Sequence, residues 1–267
     1  MTVYLKYWGL AEPPFENVSN ESVFFRSSQH QEALSRLIYA VENRKGAAML
    51  TGEVGSGKTT IGRVMRESLP KDRYLVRTIT NPALSPLDLL RSILFQLGFW
   101  SESDSKVVLL TALQDRLSEN ERRGMRTILI IDEAHLIKHR ASLEELRMLL
   151  NLQSAHQFLI TLVVLGQPSL VEAVEGLHPL RERIAVKYRL KPLDLKDTVR
   201  YILFCLKNAG ATRGIFTRES IFPLYDYSRG IPLRINNLCD RCLMIGMMQK
   251  AGGIVTRIVN EAIEDLQ

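Results

Sequence analysis

Cysteine is scarce: Cys205, Cys239 and Cys242 are the whole complement, too few for a disulfide framework and suited to a reducing compartment. Long apolar runs are missing too. Stretches such as Ile128 to Ile131 or Leu162 to Leu165 fall far short of the ~18 residues that a membrane-crossing helix needs. The N-terminus lacks a charged start followed by an apolar segment, so no secretory leader is expected. There are no internal repeats or low-complexity tracts, which excludes solenoids and collagen-like scaffolds. Aromatic residues make up only 7% of the chain.

What remains is an ordinary globular make-up. The 267 residues, 46% hydrophobic and 24% charged, suffice for one good core and a smaller second one. A net charge of +6 and a pI near 9.3 permit anionic partners: nucleic acid, acidic lipid or nucleotide phosphate. From Arg181 to Arg200 seven Lys/Arg face three acids, so much of the excess sits in one segment. Cys239-Asp240-Arg241-Cys242 has redox or metal spacing. It lies in a helical pattern with no second Cys or His pair nearby, so buried thiols are the expected reading.

The first 30 residues are rich in aromatics and proline, with Tyr4, Tyr7, Trp8, Phe15, Phe24 and Phe25 beside Pro13-Pro14. This reads as an irregular leader packing onto a domain. Apolar spacing predicts a helix from Ser28 to Asn43, then a strand from Ala47 to Leu50 and a helix from Lys58 to Leu69. Tyr74 to Thr80 alternates like a strand. Ser85-Pro86 opens a helix to Leu97, with Ser as cap and Pro in the first turn. Val107 to Leu117 is helical, and Ser118 to Gly124 is read as a polar turn. Thr127 to Ile131 is continuously apolar and β-branched, as in a strand buried on both faces. A helix at Leu143 to Leu152 and strands at Phe158 to Leu165 and Ala185 to Leu190 complete an alternation that implies a parallel sheet between helices. After Pro192 only helices are expected: Asp194–Asn208, Arg218–Tyr227, Leu233–Gln249 and Val255–Leu266. The division expected is a leader and first helix over 1–45 on the core, an α/β core over 46–193 and a helical lid over 194–267.

Gly52-Glu53-Val54-Gly55-Ser56-Gly57-Lys58-Thr59 matches the P-loop pattern without a mismatch. Glycines let successive backbone N–H groups turn inward around phosphates, and the following helix presents its positive end to them. Lys58 is placed for the β- and γ-phosphates, and the Thr59 hydroxyl for Mg²⁺; Thr60 follows in the same helical turn. Ile128-Leu129-Ile130-Ile131-Asp132-Glu133 is the matching half. Four apolar strand residues deliver two carboxylates to the strand's C-terminal edge, where ligands bind in such sheets. Asp132 is the expected Mg²⁺ partner, and Glu133 the residue that polarises the attacking water. His135 reads as packing or helix capping rather than catalysis.

With both motifs placed, the sequence resembles AAA+ ATPases, specifically the ExeA/GspA type associated with secretion systems. The likeness rests on Tyr7-Trp8-Gly9-Leu10, Pro14-Phe15, His30, Glu32-Ala33-Leu34, Leu50 to Gly55 and Asn81-Pro82. It continues through Asp132-Glu133-Ala134-His135, Gly166-Gln167-Pro168, Leu180 to Ile184, Gly230-Ile231-Pro232 and Ile235 to Asp240. The same core is similar to the TniB/TnsC type that regulates DNA transposition. The resemblance implies a P-loop NTPase sandwich with an all-helical C-terminal lid, using ATP/ADP and Mg²⁺. It implies sensor 1 at Gln167, where a strand-end amide capping a turn is the plainer alternative. It implies a switch residue at Asn81, although Asn before Pro is also turn chemistry.

From the resemblance, Arg183 in preference to Arg181 is the arginine finger offered to a neighbouring subunit's ATP. Pro14-Phe15 and Phe25 to His30 are implied near the base, with core packing as the alternative. One departure concerns sensor 2. The family commonly has Gly-x-Pro-Arg, whereas Gly230-Ile231-Pro232-Leu233-Arg234 puts Leu233 in the arginine place and Arg234 one step on. A step of that kind rotates a side chain by ~100°.

The implied assembly is a homo-oligomer, a ring or helical filament, acting on a secretion or envelope complex. The expected location is cytoplasmic, peripheral at the inner membrane through partners and without a transmembrane segment of its own. ExeA-like relatives often append a membrane segment and an envelope-binding domain; neither is expected in these 267 residues. The alternatives are an ATP-dependent regulator on duplex DNA, with Arg122-Arg123-Gly124-Met125-Arg126 as a candidate basic loop, and a slow nucleotide-operated scaffold.

Overall fold

A computed structural model describes residues 3–17, 24–154 and 157–266; part of the aromatic leader, 18–23, lies outside the described residues. In chain order the first elements are α1 (Val3–Trp8), α2 (Ser28–Glu42), β1 (Ala47–Gly52), α3 (Lys58–Ser68) and β2 (Tyr74–Ile79). Then come α4 (Pro86–Gln96), α5 (Lys106–Arg122), β3 (Arg126–Ile131), α6 (Arg140–Leu149) and a small hairpin of β4 (Gln153–Ser154) and β5 (Gln157–Phe158). β6 (Ile160–Gly166), α7 (Ser169–Glu175), α8 (His178–Arg181) and β7 (Ile184–Leu190) complete the α/β part. The rest is α9 (Leu195–Asn208), α10 (Ile221–Ser228), α11 (Pro232–Met248) and α12 (Thr256–Glu264).

The chain divides into two compact units. One holds 29–52 and 58–190; the other holds 1–28, 53–57 and 191–267. The sheet unit is a five-stranded parallel sheet in the order β2-β3-β6-β1-β7. Its middle strands are largely apolar because helices cover both faces: every residue of β1 and β6 is buried. β7 closes one edge and is buried only at its two ends. β6 lies between β1 and β3, so the strand bearing the P-loop and the strand bearing Asp132 are each one place from it. Ser85 caps α4, its side chain accepting from the Asp88 N–H at 3.2 Å.

Residues 118–122, read from sequence as a turn, continue α5 instead. Asn120 is buried and donates to Thr127 at 3.1 Å, while Glu119 pairs with Arg116 and Arg123. These contacts give a polar stretch its reason to stay helical. The turn comes at Gly124, where φ is +76°.

The helical unit is built on α9 to α12 and takes in the leader. Two expectations change here. The segment Val3–Trp8 is a helix, and the leader's aromatics pack into this unit. Trp8 is 3% exposed and donates its indole N–H to the Leu243 carbonyl at 2.8 Å, which satisfies the one polar atom that its burial would strand. Tyr4 bonds Asp240, and Tyr7 donates to the Ala251 carbonyl at 2.8 Å. Phe15 meets Phe216 edge to face, and Phe25 lies on Tyr201 and Phe204. The leader thus belongs with the C-terminal helices, and its rings are spent on packing. Cys205, Cys239 and Cys242 are buried free thiols. Burial pushes the Cys205 and Cys242 thiols up to about 12, and Cys239 well above its ordinary value. Among the described residues no cluster of three or more His, Cys, Asp or Glu could hold a metal.

Candidate nucleotide site at the C-terminal edge of the sheet

β1 ends at Gly52 and α3 begins at Lys58, so five residues make the whole connection. Such a tight reversal from strand to helix needs conformations that side chains avoid. Gly55 (φ +75°) and Gly57 (φ +100°) supply them. Lys58, at the first turn of α3, is only 5% exposed, and its ammonium donates to the Gly52 carbonyl at 3.0 Å. A lysine folded back inside its own loop is held for an anion at the helix's positive end. Ser56 is buried and its N–H donates to the Glu53 carbonyl at 3.2 Å. Thr59 is exposed. Close packing of α3 on the sheet depends on Gly62, where a Cβ would stand 2.8 Å from Leu165.

On β3 the register Ile131↔Val164 brings Asp132 out at the same edge. Asp132 is buried, its backbone N–H donates to the Ile79 carbonyl at 2.8 Å, and its Oδ1 accepts the Glu133 N–H at 2.9 Å. Glu133 is in the left-handed region (φ 51°), half-exposed and beside His135. Gln167 follows the last residue of β6 and reaches His135. Asn81, just past β2, is exposed and its Oδ1 accepts the Ala83 N–H at 3.4 Å, the turn chemistry expected of Asn before Pro. The sheet unit therefore gathers Gly52, Lys58, Thr59, Asp132, Glu133 and Gln167 at one edge. His135, read from sequence as packing or helix capping, has its nearly buried ring beside Glu133 and Gln167, a neighbourhood set by the turn at Glu133.

Two further candidates lie elsewhere. Arg183 precedes β7 at the opposite, N-terminal edge, half-buried and donating to the Leu150 carbonyl at 3.0 Å. Arg181 is tied to Glu182 at 2.9 Å and to Glu175 at 3.3 Å; these bonds, Glu182 first, raise its pKa, and Arg181 in turn holds the Glu182 carboxyl low. In the helical unit, Leu233 rather than Arg234 meets Gly55 of the loop, and Arg234 is exposed on α11. The basic loop is engaged with its own unit: Arg123 pairs with Glu119, and Arg126 donates to the Glu42 carbonyl at 2.8 Å.

The donor set fits a nucleoside triphosphate with a hard cation. A buried ammonium and a glycine-turned loop suit phosphate, while a buried carboxylate and a hydroxyl suit Mg²⁺ rather than a thiophilic metal.

Strand order, loop and carboxylate pair together define a P-loop NTPase of the AAA class. The sequence pattern of the AAA domain family matches residues 41–174, half of the chain, and the chain belongs to that family. It is 37% identical over 258 residues to General secretion pathway protein A of Aeromonas hydrophila, covering 95% of this chain and 46% of that protein. The chain thus spans less than half the length of that relative. Among solved structures it is similar to the Cdc6p protein of Pyrobaculum aerophilum, with TM-score 0.73, 19% identity, and 94% of this chain and 70% of that one covered. Drosophila ORC bound to DNA gives TM-score 0.71 at 17% identity, covering 96% and 64%. The RuvB Holliday junction branch migration motor of Thermotoga maritima gives 0.62 at 21%, covering 96% and 74%. At such identities these three speak for the fold alone. Among the described residues no helix is long and apolar enough to cross a membrane.

Proposed function

We propose that the protein binds ATP and hydrolyses it to ADP, and that this cycle drives assembly or remodelling of a secretion-related complex. The observation that carries the nucleotide reading is Lys58, buried against Gly52 at 3.0 Å at the sheet edge that also bears Asp132 and Glu133. The likeness to a general secretion pathway protein supports the process. In this reading the N–H groups of Gly52 to Lys58, with Glu53, Val54, Gly55, Ser56 and Gly57 between, cradle the phosphates, and Thr59 and Thr60 extend that turn. Lys58 neutralises β- and γ-oxygens. Thr59 and Asp132 hold Mg²⁺, which when bound offsets the negative charge of the phosphate oxygens. Glu133 orients water and takes its proton. Gln167 bonds the γ-phosphate, Asn81 acts as the switch on Glu133, and Arg234 is the lid cation offered to the phosphates. Arg183 serves a neighbouring copy's nucleotide in a ring or helical filament. The location is cytoplasmic, at the inner membrane through partners.

Purified protein should hydrolyse ATP in the presence of Mg²⁺. Lys58→Ala should weaken nucleotide binding at least about tenfold, since a charge-assisted bond contributes ~1.5–3 kcal/mol. Unchanged turnover in that variant overturns the ATPase reading. Titration with duplex DNA at two salt concentrations tests the process: ATP-dependent, salt-sensitive binding would replace secretion by DNA regulation.

A further inference from the structure

We infer that His135 is a positioning residue that ties Glu133 to Gln167, so that the carboxylate serving water and the amide serving the γ-phosphate act as one device. The inference rests on the ATPase reading above. The chain leaves β3 at Asp132 and turns back at once, because Glu133 takes left-handed backbone angles (φ 51°, ψ 35°) that non-glycine residues adopt only when their surroundings impose them. Ala134–Leu136 then forms a single 3₁₀ turn, and residue 135 comes alongside residue 133. His135 Nδ1 lies 3.3 Å from Glu133 Oε2. Its Nε2 lies 2.7 Å from Gln167 Nε2, and the Gln167 backbone N–H donates to Nδ1 at 3.4 Å. The ring is 10% exposed, so water is a poor substitute for these partners.

Donor and acceptor rules turn the cluster into a switch. A carboxylate only accepts, so Nδ1 must carry the proton when it bonds Glu133. Nε2 is then an acceptor and takes a hydrogen bond from the Gln167 amide NH₂. The other neutral tautomer reverses every role. Nδ1 accepts the Gln167 backbone N–H, Nε2 donates to the oxygen of a turned amide, and Glu133 loses its donor. One arrangement holds Glu133 and the other releases it, and the orientation of the Gln167 amide selects between them. A γ-phosphate oxygen that claims the Gln167 NH₂ leaves the amide oxygen for Nε2. The ring then gives up the Nδ1 proton to solvent and gains one at Nε2, with no change in net charge, and Glu133 is free to engage water.

Two measurements test this. In nucleotide-free protein, ring ¹⁵N shifts of His135 report which ring nitrogen carries the proton, and both Glu133→Ala and Gln167→Ala should move them; shifts unmoved by either substitution overturn the proposal. His135→Phe keeps the ring's bulk without its nitrogens. It should lower kcat at least about tenfold, equivalent to ~1.4 kcal/mol, with nucleotide affinity within about twofold. His135→Asn restores a donor near Nδ1 but cannot reach Gln167, and should recover part of kcat. Full kcat in folded His135→Phe overturns the proposal, as does full kcat in His135→Asn if the Phe variant does not fold. Absence of turnover in the unmodified protein overturns the ATPase reading and this inference with it, whereas normal turnover that ignores His135 overturns this inference alone.

Discussion

The backbone N–H of Leu233 donates to the carbonyl of Gly55 at 3.3 Å, and a Cβ added to Gly55 would stand 2.3 Å from the Leu233 Cβ. A P-loop residue and the first turn of α11 are thus in direct backbone contact. The α11 side chain that crowds the loop is the apolar Leu233, while Arg234 is exposed. Gly55 is held twice over, by its φ of +75° and by lack of room.

Gly55→Ala should therefore lower stability by about 2–4 kcal/mol, combining left-handed strain with overpacking. Leu233→Gly removes the obstructing atoms but not the strain. The double variant should be less destabilised than the sum of the singles by about 1 kcal/mol or more. Urea unfolding of the four proteins measures this, and strict additivity would show that the contact is not energetically real.

Glu133→Gln preserves size and removes the base. ATP turnover should fall by a factor of ~10²–10⁴ while nucleotide affinity stays within a few-fold. A matching loss of affinity would mean that Glu133 binds nucleotide rather than activating water.

Arg183 lies at the sheet edge opposite Lys58, bonded to the Leu150 carbonyl, so its proposed use is in a neighbouring copy. Arg183→Ala should reduce turnover by about 10³ or more, in the range of other arginine fingers. Mixed with Glu133→Gln subunits, it should recover activity at mixed interfaces. Co-assembly without recovery argues against a role in trans.

The buried thiols make stability fall at high pH. Cys205 and Cys242 have an ordinary pKa of 9.0 when exposed and are raised to about 12 in the fold. A raised folded pKa means that stability is complete below about 9 and is lost as pH climbs toward about 12. The urea midpoint should decline from pH 9 upward, and the thiols should react with a disulfide reagent at pH 8 only after unfolding. Rapid reaction of native protein would contradict their burial.

The P-loop could be read from residues 52–59 because its chemistry depends on glycines and a lysine at fixed spacing along one turn. The same holds for Ile128 to Glu133, where continuous apolar character announces a strand buried on both faces. Ser118 to Arg122 misled because a polar helix looks like a turn until Asn120 finds Thr127. The leader misled because aromatic rings signal burial without naming what covers them; Trp8 and Phe15 answer to α11 and Phe216.

The sequence by itself determined the α/β alternation, the phosphate loop, the paired carboxylates and the helical C-terminus, since each is encoded in local period and spacing. Tertiary structure decided which residues stand beside them. His135 between Glu133 and Gln167, Leu233 on Gly55, and Arg183 at the far edge of the sheet join residues distant in the chain or depend on one backbone angle. Neither kind of information resides in residue order, because such contacts arise only when strands take their places in the sheet and side chains compete for the same space.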